Sequence, residues 1–166
     1  VGIELVHAAS LVTDDLPCMD GAETRRGRTS TWKEFDESTA ILASHYLKDR
    51  GALLMRQNAL DHGISNGSAD NYIQQVLTRL YVGQATDLEL EKSERALRQS
   101  MIDKSNLFQL ALAFPAILLD SEHVDLLKDI GRDVTLAYQL MDDLRDLLPS
   151  DEVGKPTGVE SEKGTS

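Results

Sequence analysis

Residues 121–148 read SEHVDLLKDIGRDVTLAYQLMDDLRDLL, and this stretch decides the fold class. Its apolar residues recur at alternating steps of three and four, which places them on one face of an α-helix. A helix with such a face is typical of a helical bundle, where the face packs against neighbouring helices. We call this set the apolar stripe, and its members are Leu127, Ile130, Val134, Ala137, Met141, Leu144 and Leu148.

A polar line runs beside the apolar stripe on the same predicted helix. Gln139, Asp142 and Asp146 are again three and four residues apart, and Asp143 follows Asp142 directly. Carboxylates at positions i and i+4 of a helix point in the same direction, so Asp142 and Asp146 can face one cation together. The last helix therefore carries a candidate cation site.

The rest of the chain is also predicted to be helical. No stretch alternates apolar and polar residues for long, which argues against strands and favours an all-α fold. Gly63 is a natural helix end, and Pro115 is expected to kink its helix or end it early. The predicted helices cover 1–13, 36–62 with Asp36 as N-cap, 68–91 with Ser68 as N-cap and 93–119 with Ser93 as N-cap, whereas 20–36 and 149–166 are predicted loops.

Composition excludes several classes of protein. The 166 residues include 17 Lys and Arg against 28 Asp and Glu, a net charge of -11 that argues against nucleic-acid binding through a basic face. The longest apolar runs, such as 110–119, are too short to span a bilayer. One cysteine, Cys18, excludes a disulfide framework and suits a reducing compartment, so we expect the cytoplasm. An organelle stays open, because Val1 already reads as helix interior and we expect the native start to be missing.

A first aspartate cluster lies at the end of the first predicted helix, in DDLPCMD at residues 14–20. Pro17 and two extra residues between the acids must bulge to let Asp20 turn back towards Asp14. Oxygen ligands without His or Cys indicate a hard ion, with Mg²⁺ as the leading candidate. Either cluster alone is also consistent with a solvated patch in an acidic protein. Both lie where an apolar helix should face a bundle interior, and buried carboxylates there require cations.

Basic residues supply the opposite charge. Arg25 and Arg26 follow the first cluster closely, and Lys104 lies in an apolar helix. Lys155 and Lys163 lie in the Gly-rich tail, where each taken singly is consistent with an ordinary surface lysine. Arginine grips phosphate oxygens with two hydrogen bonds, and lysine supplies a compact charge. Carboxylates with Mg²⁺ on one side and Arg and Lys on the other describe a clamp for a diphosphate.

These motifs together resemble the trans-isoprenyl diphosphate synthases, the polyprenyl synthetase family, most of all enzymes of the geranylgeranyl diphosphate synthase kind. The likeness covers nearly the whole chain. Three positions depart from the family: Ser105 stands where Thr is usual, Thr13 stands where His is common, and Arg145 replaces an apolar residue. The motifs, in the family's order, are HAASLVTDDLPCMD at 7–20, RRG at 25–27, GQ and DL at 83–84 and 87–88, KS at 104–105, YQLMDD at 138–143, and the lysine-bearing GK and KGT at 154–155 and 163–165.

The resemblance implies an all-α helical bundle of the isoprenoid (terpenoid) synthase type. Residues 1–166 would form a single polyprenyl synthetase domain that lacks the family's N- and C-terminal helices. It also implies three Mg²⁺ ions with substrate bound, for which Mn²⁺ can substitute. By the family pattern, Asp14 and Asp20 hold two of these ions with Asp15 supporting, and Asp142 holds the third with Asp143 and Asp146 near it.

The family pattern also assigns the substrate-binding residues. Arg25 is expected to bind the allylic diphosphate, and Arg26 and His7 to bind isopentenyl diphosphate. Lys104, Ser105, Gln139 and Lys155 are expected to line the allylic side and to stabilise the leaving diphosphate, while Lys163 closes over it.

The activity implied is Mg²⁺-dependent condensation of an allylic prenyl diphosphate with isopentenyl diphosphate by a homodimer. Ala9 and Ser10 precede Asp14 by five and four residues and leave no bulky floor, so geranylgeranyl diphosphate is the expected product. Two alternatives stay open. A class I terpene cyclase would want an Asn/Ser/Glu-type second metal motif, and a non-catalytic subunit of a hetero-oligomeric synthase should have lost one aspartate cluster or the arginine pair. No nucleic-acid partner and no transmembrane segment are expected.

Overall fold

The computed structural model describes residues 1–64, 67–88, 93, 99–103 and 106–146 of the chain. Residues 142, 143, 145 and 146 are described by their backbone only. The chain divides into two compact units, Val1–Gln74 and Gln75–Ser166.

The described residues are helical apart from loops and one short ribbon, so the all-α prediction is confirmed. Residues 99–103 are also helical. None of the described helices combines the length and the hydropathy that a bilayer crossing requires. The elements are α1 (Gly2–Asp14), β1 (Thr24–Arg25), β2 (Arg28–Thr29), α2 (Thr31–Glu34), α3 (Glu37–Asp61), α4 (Ser68–Asp87), α5 (Asn106–Leu118) and α6 (Val124–Asp146).

Helices α1 and α3 form the core of the first unit, and their backbones approach closely at two glycines. A Cβ atom added at Gly51 would lie 2.6 Å from the carbonyl oxygen of Gly2 and 2.9 Å from Cγ2 of Val6. Gly2, Val6 and Ala9 are the buried residues of α1, and their spacing of four and three places them on one face. This face packs against α3 because glycine removes the side chains that would hold the two helices apart.

The ends of α3 lie where the sequence predicted them. The carboxylate of Asp36 accepts a hydrogen bond of 2.7 Å from the backbone N–H of Thr39, which satisfies one free donor of the first turn. At the other end, Gly63 adopts φ +79°, a left-handed conformation in which glycine has no Cβ penalty. Asp36 and Gly63 are confirmed as the start and stop signals.

Helix α4 differs from its prediction at the start. Ser68 is the first helical residue, and the preceding Gly67 accepts the first helical hydrogen bond, 2.8 Å from the N–H of Asn71. The N-cap is therefore Gly67 rather than Ser68. The helix ends at Asp87, before the predicted residue 91, and residues 89–92 lie outside the described part.

Pro115 lies in the last turn of α5 and does not end the helix, which continues to Leu118. Proline has no N–H to donate, but its carbonyl still accepts, and the N–H of Leu119 donates to it at 3.1 Å. The prediction that Ser93 caps a helix is not tested, because residues 94–98 lie outside the described part.

Helix α6 confirms the predicted helix, but the face that packs against α5 is not the apolar stripe. A Cβ added at Gly131 would lie 2.7 Å from Cα of Gln109, so the two backbones meet there. Thr135, one turn later, is buried and donates a hydrogen bond to the carbonyl of Gly131. Ile130 and Val134 of the stripe are 41% and 45% exposed. The small residues allow the close approach, and the described residues leave most of the stripe uncovered.

Candidate functional site

The first aspartate cluster forms a turn at the C-terminal end of α1. The N–H of Asp20 donates to the carbonyl of Asp14 at 2.9 Å, and the N–H groups of Met19 and Gly21 donate to the carbonyl of Leu16. Gly21 has φ +64°, a conformation that favours glycine. Asp20 is thereby turned back towards Asp14, as the length of the segment predicted. We call residues 14–20 the aspartate turn.

Asp15 and Arg25 form an ion pair beside this turn. The guanidinium Nε donates to both carboxylate oxygens, at 2.8 Å to Oδ1 and 3.0 Å to Oδ2, and Nη2 lies 2.7 Å from Oδ1. The hydrogen bond to Asp15 raises the pKa of Arg25 above its usual value; burial opposes this, and the negative charges of Asp15, Asp14 and Asp20 add to it. Arg25 therefore lies within the electrostatic field of all three aspartates.

A two-residue turn, Arg26 and Gly27, directly follows Arg25. Strands β1 and β2 pair Arg25 with Arg28, and the loop residues Arg26 and Gly27 have φ +53° and +76°. Two successive positive φ values are typical of the type I′ turn that joins the strands of a tight hairpin. Arg25 is half-buried on its strand and Arg26 is exposed at the tip, so adjacent arginines have different surroundings. Sequence reasoning missed this hairpin, whose one signal was the glycine after the pair.

The aspartate turn fits a hard cation with few protein ligands. Among residues with described side chains, no three His, Cys, Asp or Glu groups converge closely enough to hold a metal ion. The Asp15 carboxylate is bound to Arg25, and a backbone hydrogen bond of the turn brings the main chains of Asp14 and Asp20 together. Two carboxylates suit Mg²⁺, which commonly takes one or two from the protein and completes its shell with water and phosphate oxygens.

His7 and Ser10 lie on the same side of α1 as Asp14, because they precede it by about two turns and one turn of helix. Both are half-buried, and the Ser10 hydroxyl donates to the carbonyl of His7 at 2.9 Å.

Ala9 lies on a different face of α1. It is 3% exposed, and its carbonyl accepts a hydrogen bond from the Ser44 hydroxyl of α3. Ala9 therefore belongs to the contact between α1 and α3, and its expected place beside a product channel stays a prediction.

In the second unit, Gln139 on α6 is half-buried. Its Oε1 atom is buried and has no hydrogen-bond partner within the described part of the chain. A buried acceptor without a donor is costly in a folded protein and is common where a ligand or water binds. Gln139 is thus suited to face a positively charged or hydrogen-bonding group.

Ser100 was not predicted from the sequence, and it joins the helical residues 99–103 to α4. It is 2% exposed, and its hydroxyl bonds to the carbonyl of Gly83 at 3.2 Å and to the carboxylate of Asp87. Gly83 and Asp87 belong to a motif identified from the sequence, and Ser100 anchors the residues just before Lys104 to that motif. The sequence does not show whether a given serine is buried in a contact of this kind or exposed to solvent.

Several predicted site residues fall outside what the structure describes. Asp142, Asp143 and Asp146 lie on α6, where their side chains are not described. Their assignments remain predictions, as do those of the residues that lie entirely outside the described ranges, which are Lys104, Ser105, Lys155 and Lys163.

Comparison with known proteins gives one consistent family. The family model for polyprenyl synthetase matches residues 1–165. A geranylgeranyl diphosphate synthase from Pseudescherichia vulneris is 36% identical over 98% of this chain and 55% of its own length. A geranylfarnesyl diphosphate synthase from Natronomonas pharaonis is 35% identical over 95% of this chain and 48% of its own length.

The solved structures agree. A geranyltranstransferase from Thermotoga maritima superposes with a TM-score of 0.80 at 30% identity, covering 98% of this chain and 62% of that one. The fold is the all-α isoprenoid synthase fold. The chain spans about half the length of the curated relatives it matches. It belongs to the polyprenyl synthetase family.

Proposed function

We propose that the protein is a Mg²⁺-dependent trans-prenyltransferase that condenses an allylic prenyl diphosphate with isopentenyl diphosphate. The observation that supports this most directly is the aspartate turn with Arg25 beside it. Two acids suited to a divalent cation, Asp14 and Asp20, act electrostatically on an arginine suited to phosphate oxygens. A diphosphate that carries bound metal requires this combination of charges.

The metal assignments of the proposal follow the predicted clusters. Asp14 and Asp20 would hold two Mg²⁺ ions, and Asp142 would hold a third with Asp143 and Asp146 near it. When bound, the ions neutralise charge on the diphosphate oxygens.

The protein's own residues bind and orient the two substrates. Arg25 binds the allylic diphosphate, and Arg26 on the hairpin tip binds isopentenyl diphosphate together with His7. The bond between C1 of the allylic chain and the diphosphate oxygen breaks, and its electron pair leaves with the diphosphate. The double bond of isopentenyl diphosphate then forms the new carbon–carbon bond, and a proton is lost to the released diphosphate. By the family pattern Gln139 shields the allylic cation, and its buried acceptor oxygen is suited to a positive charge.

The proposed product is geranylgeranyl diphosphate, and the proposal rests on the small side chains of Ala9 and Ser10. Ser10 lies one turn before Asp14 on the same side of α1, where a chain anchored at the aspartate turn would pass. A small side chain there leaves room for elongation. Ser10→Phe should shorten the product towards farnesyl diphosphate with metal-dependent turnover retained, whereas an unchanged product length would show that another residue limits elongation.

The activity test uses the full-length protein with isopentenyl diphosphate, a dimethylallyl primer and Mg²⁺, followed by sizing of the products. We expect prenyl diphosphates of increasing length, and no turnover after chelation. Asp14→Ala should lower turnover by orders of magnitude, because stabilisation of leaving-group charge accounts for much of the rate enhancement. Asp49→Asn removes the charge of an exposed acid on a different helix, α3, and serves as the control. A hydrocarbon product would indicate a terpene cyclase, and no product would indicate a non-catalytic subunit.

A further inference from the structure

Asp15 differs from the other two acids of the aspartate turn in its burial. It is 4% exposed, whereas Asp14 is half-buried and Asp20 is exposed. A buried carboxylate is stable only when its charge is matched and its oxygens are hydrogen-bonded. Arg25 does both, since its guanidinium reaches Oδ1 and Oδ2 within 3.0 Å.

This pairing makes Asp15 a poor ligand for a divalent ion. A metal bound to Asp15 would share the carboxylate with a guanidinium whose nitrogens lie within 3.0 Å of both oxygens. The two cations would then repel each other at short range in a partly desolvated site. Asp14 and Asp20 act on the pKa of Arg25 through their negative charges, whereas Asp15 also accepts its hydrogen bonds.

The same pairing fixes the orientation of Arg25. A guanidinium has five N–H donors in a planar fork, and Asp15 engages the edge formed by Nε and Nη2. In the part of the chain that the structure describes, the group is held by one edge and its side chain is 34% exposed, so the remaining donors are available to an anion. An arginine that is already held loses less conformational entropy when it binds that anion.

We propose that Asp15 is a positioning residue, which holds Arg25 in place for the diphosphate and does not bind the metal. This rests on the proposed function, because the anion is taken to be the substrate's diphosphate. It divides the aspartate turn into two metal-binding acids, Asp14 and Asp20, and one acid that acts through an arginine.

The test measures binding of inorganic pyrophosphate to the full-length protein by calorimetry over a series of Mn²⁺ concentrations. Two quantities result: the affinity at saturating Mn²⁺, and the Mn²⁺ concentration that gives half of the maximal effect. Asp15→Asn should weaken the affinity about tenfold, the loss expected for one charge-assisted contact. It should change the half-effective Mn²⁺ concentration by less than twofold. Asp14→Asn should instead raise that concentration tenfold or more.

A double-mutant cycle distinguishes positioning from an independent effect. In an Arg25→Gln background, Asp15→Asn should cause no further loss of pyrophosphate affinity, since the residue through which it acts is gone. Additive losses, or a tenfold rise in half-effective Mn²⁺ in Asp15→Asn, would overturn the inference. Glu23→Gln breaks the nearby exposed pair with Lys33, 2.8 Å apart, and should change neither quantity.

Arg25→Lys keeps the test decisive if Asp15→Asn does not fold. Lysine retains the positive charge but cannot make the bidentate contact that a guanidinium makes with a carboxylate. We expect a similar loss of affinity at saturating Mn²⁺, and unchanged affinity would overturn the inference. If the unmodified protein binds no pyrophosphate in Mn²⁺ at all, the proposed function fails first, which is a different result from either of these.

Discussion

Gly51→Ala should destabilise the first unit, although alanine is normally the better helix former. A Cβ at Gly51 would lie 2.6 Å from the carbonyl oxygen of Gly2, whereas ordinary contact begins at 3.4 Å. The backbones of α1 and α3 must therefore separate by about 0.8 Å at this point. Overpacking of this kind costs about 1–3 kcal/mol, and the higher helix propensity of alanine returns about 1 kcal/mol. We expect a net loss of about 1 kcal/mol.

Thermal and urea unfolding, followed by circular dichroism, give the size of this loss. For a chain of this length, 1 kcal/mol corresponds to a fall of about 2–4 °C in Tm. Arg50→Ala changes the adjacent exposed residue of the same helix and should stay within about 0.5 kcal/mol of the unmodified protein. A Gly51→Ala protein with a higher Tm than its parent would show that α1 and α3 do not approach as closely as described.

Three further predictions concern packing and capping. Ala9→Phe should lower the Tm by several degrees, because the ring would be forced into the contact with α3; an unchanged Tm would contradict this. Gly131→Ala should destabilise the packing of α5 and α6, since its Cβ would lie 2.7 Å from Cα of Gln109, and hydrogen exchange should show faster opening of both helices. Asp36→Ala should cost about 1 kcal/mol in urea unfolding by removing the 2.7 Å N-cap bond, while Asp36→Ser should restore most of it.

Helix bounds were predictable where a single residue decides them. Asp36 and Gly63 act through their own side-chain and backbone chemistry, and both were identified from the sequence. The start of α4 was misplaced by one residue because Gly67 and Ser68 can both precede a helix. Local chemistry of this kind depends on four or five neighbouring residues, so the sequence alone predicts it.

Packing between helices was less predictable, because periodicity gives a face but not its partner. The apolar stripe identified α6 as a helix, yet Gly131 determines where α5 approaches. Ala9 shows the same ambiguity, because its small size fits a gap beside a channel and a close helix contact equally well. The pairing of Asp15 with Arg25 joins residues ten apart through a turn, and no spacing rule predicts which acid of a cluster an arginine selects.

The backbone hydrogen bonds of the aspartate turn have a practical consequence for labelling. Cys18, the one cysteine of the chain, is exposed between Asp14 and Asp20, and the neighbouring backbone makes the bonds that close the turn. A thiol-reactive spin label or fluorophore would therefore attach at a single position, with little effect on the conformation of the turn. The label would stand within a few residues of both acids, so paramagnetic Mn²⁺ bound there should broaden its spectrum or quench its emission. The chain thus carries a built-in attachment point for a reporter of the proposed metal site.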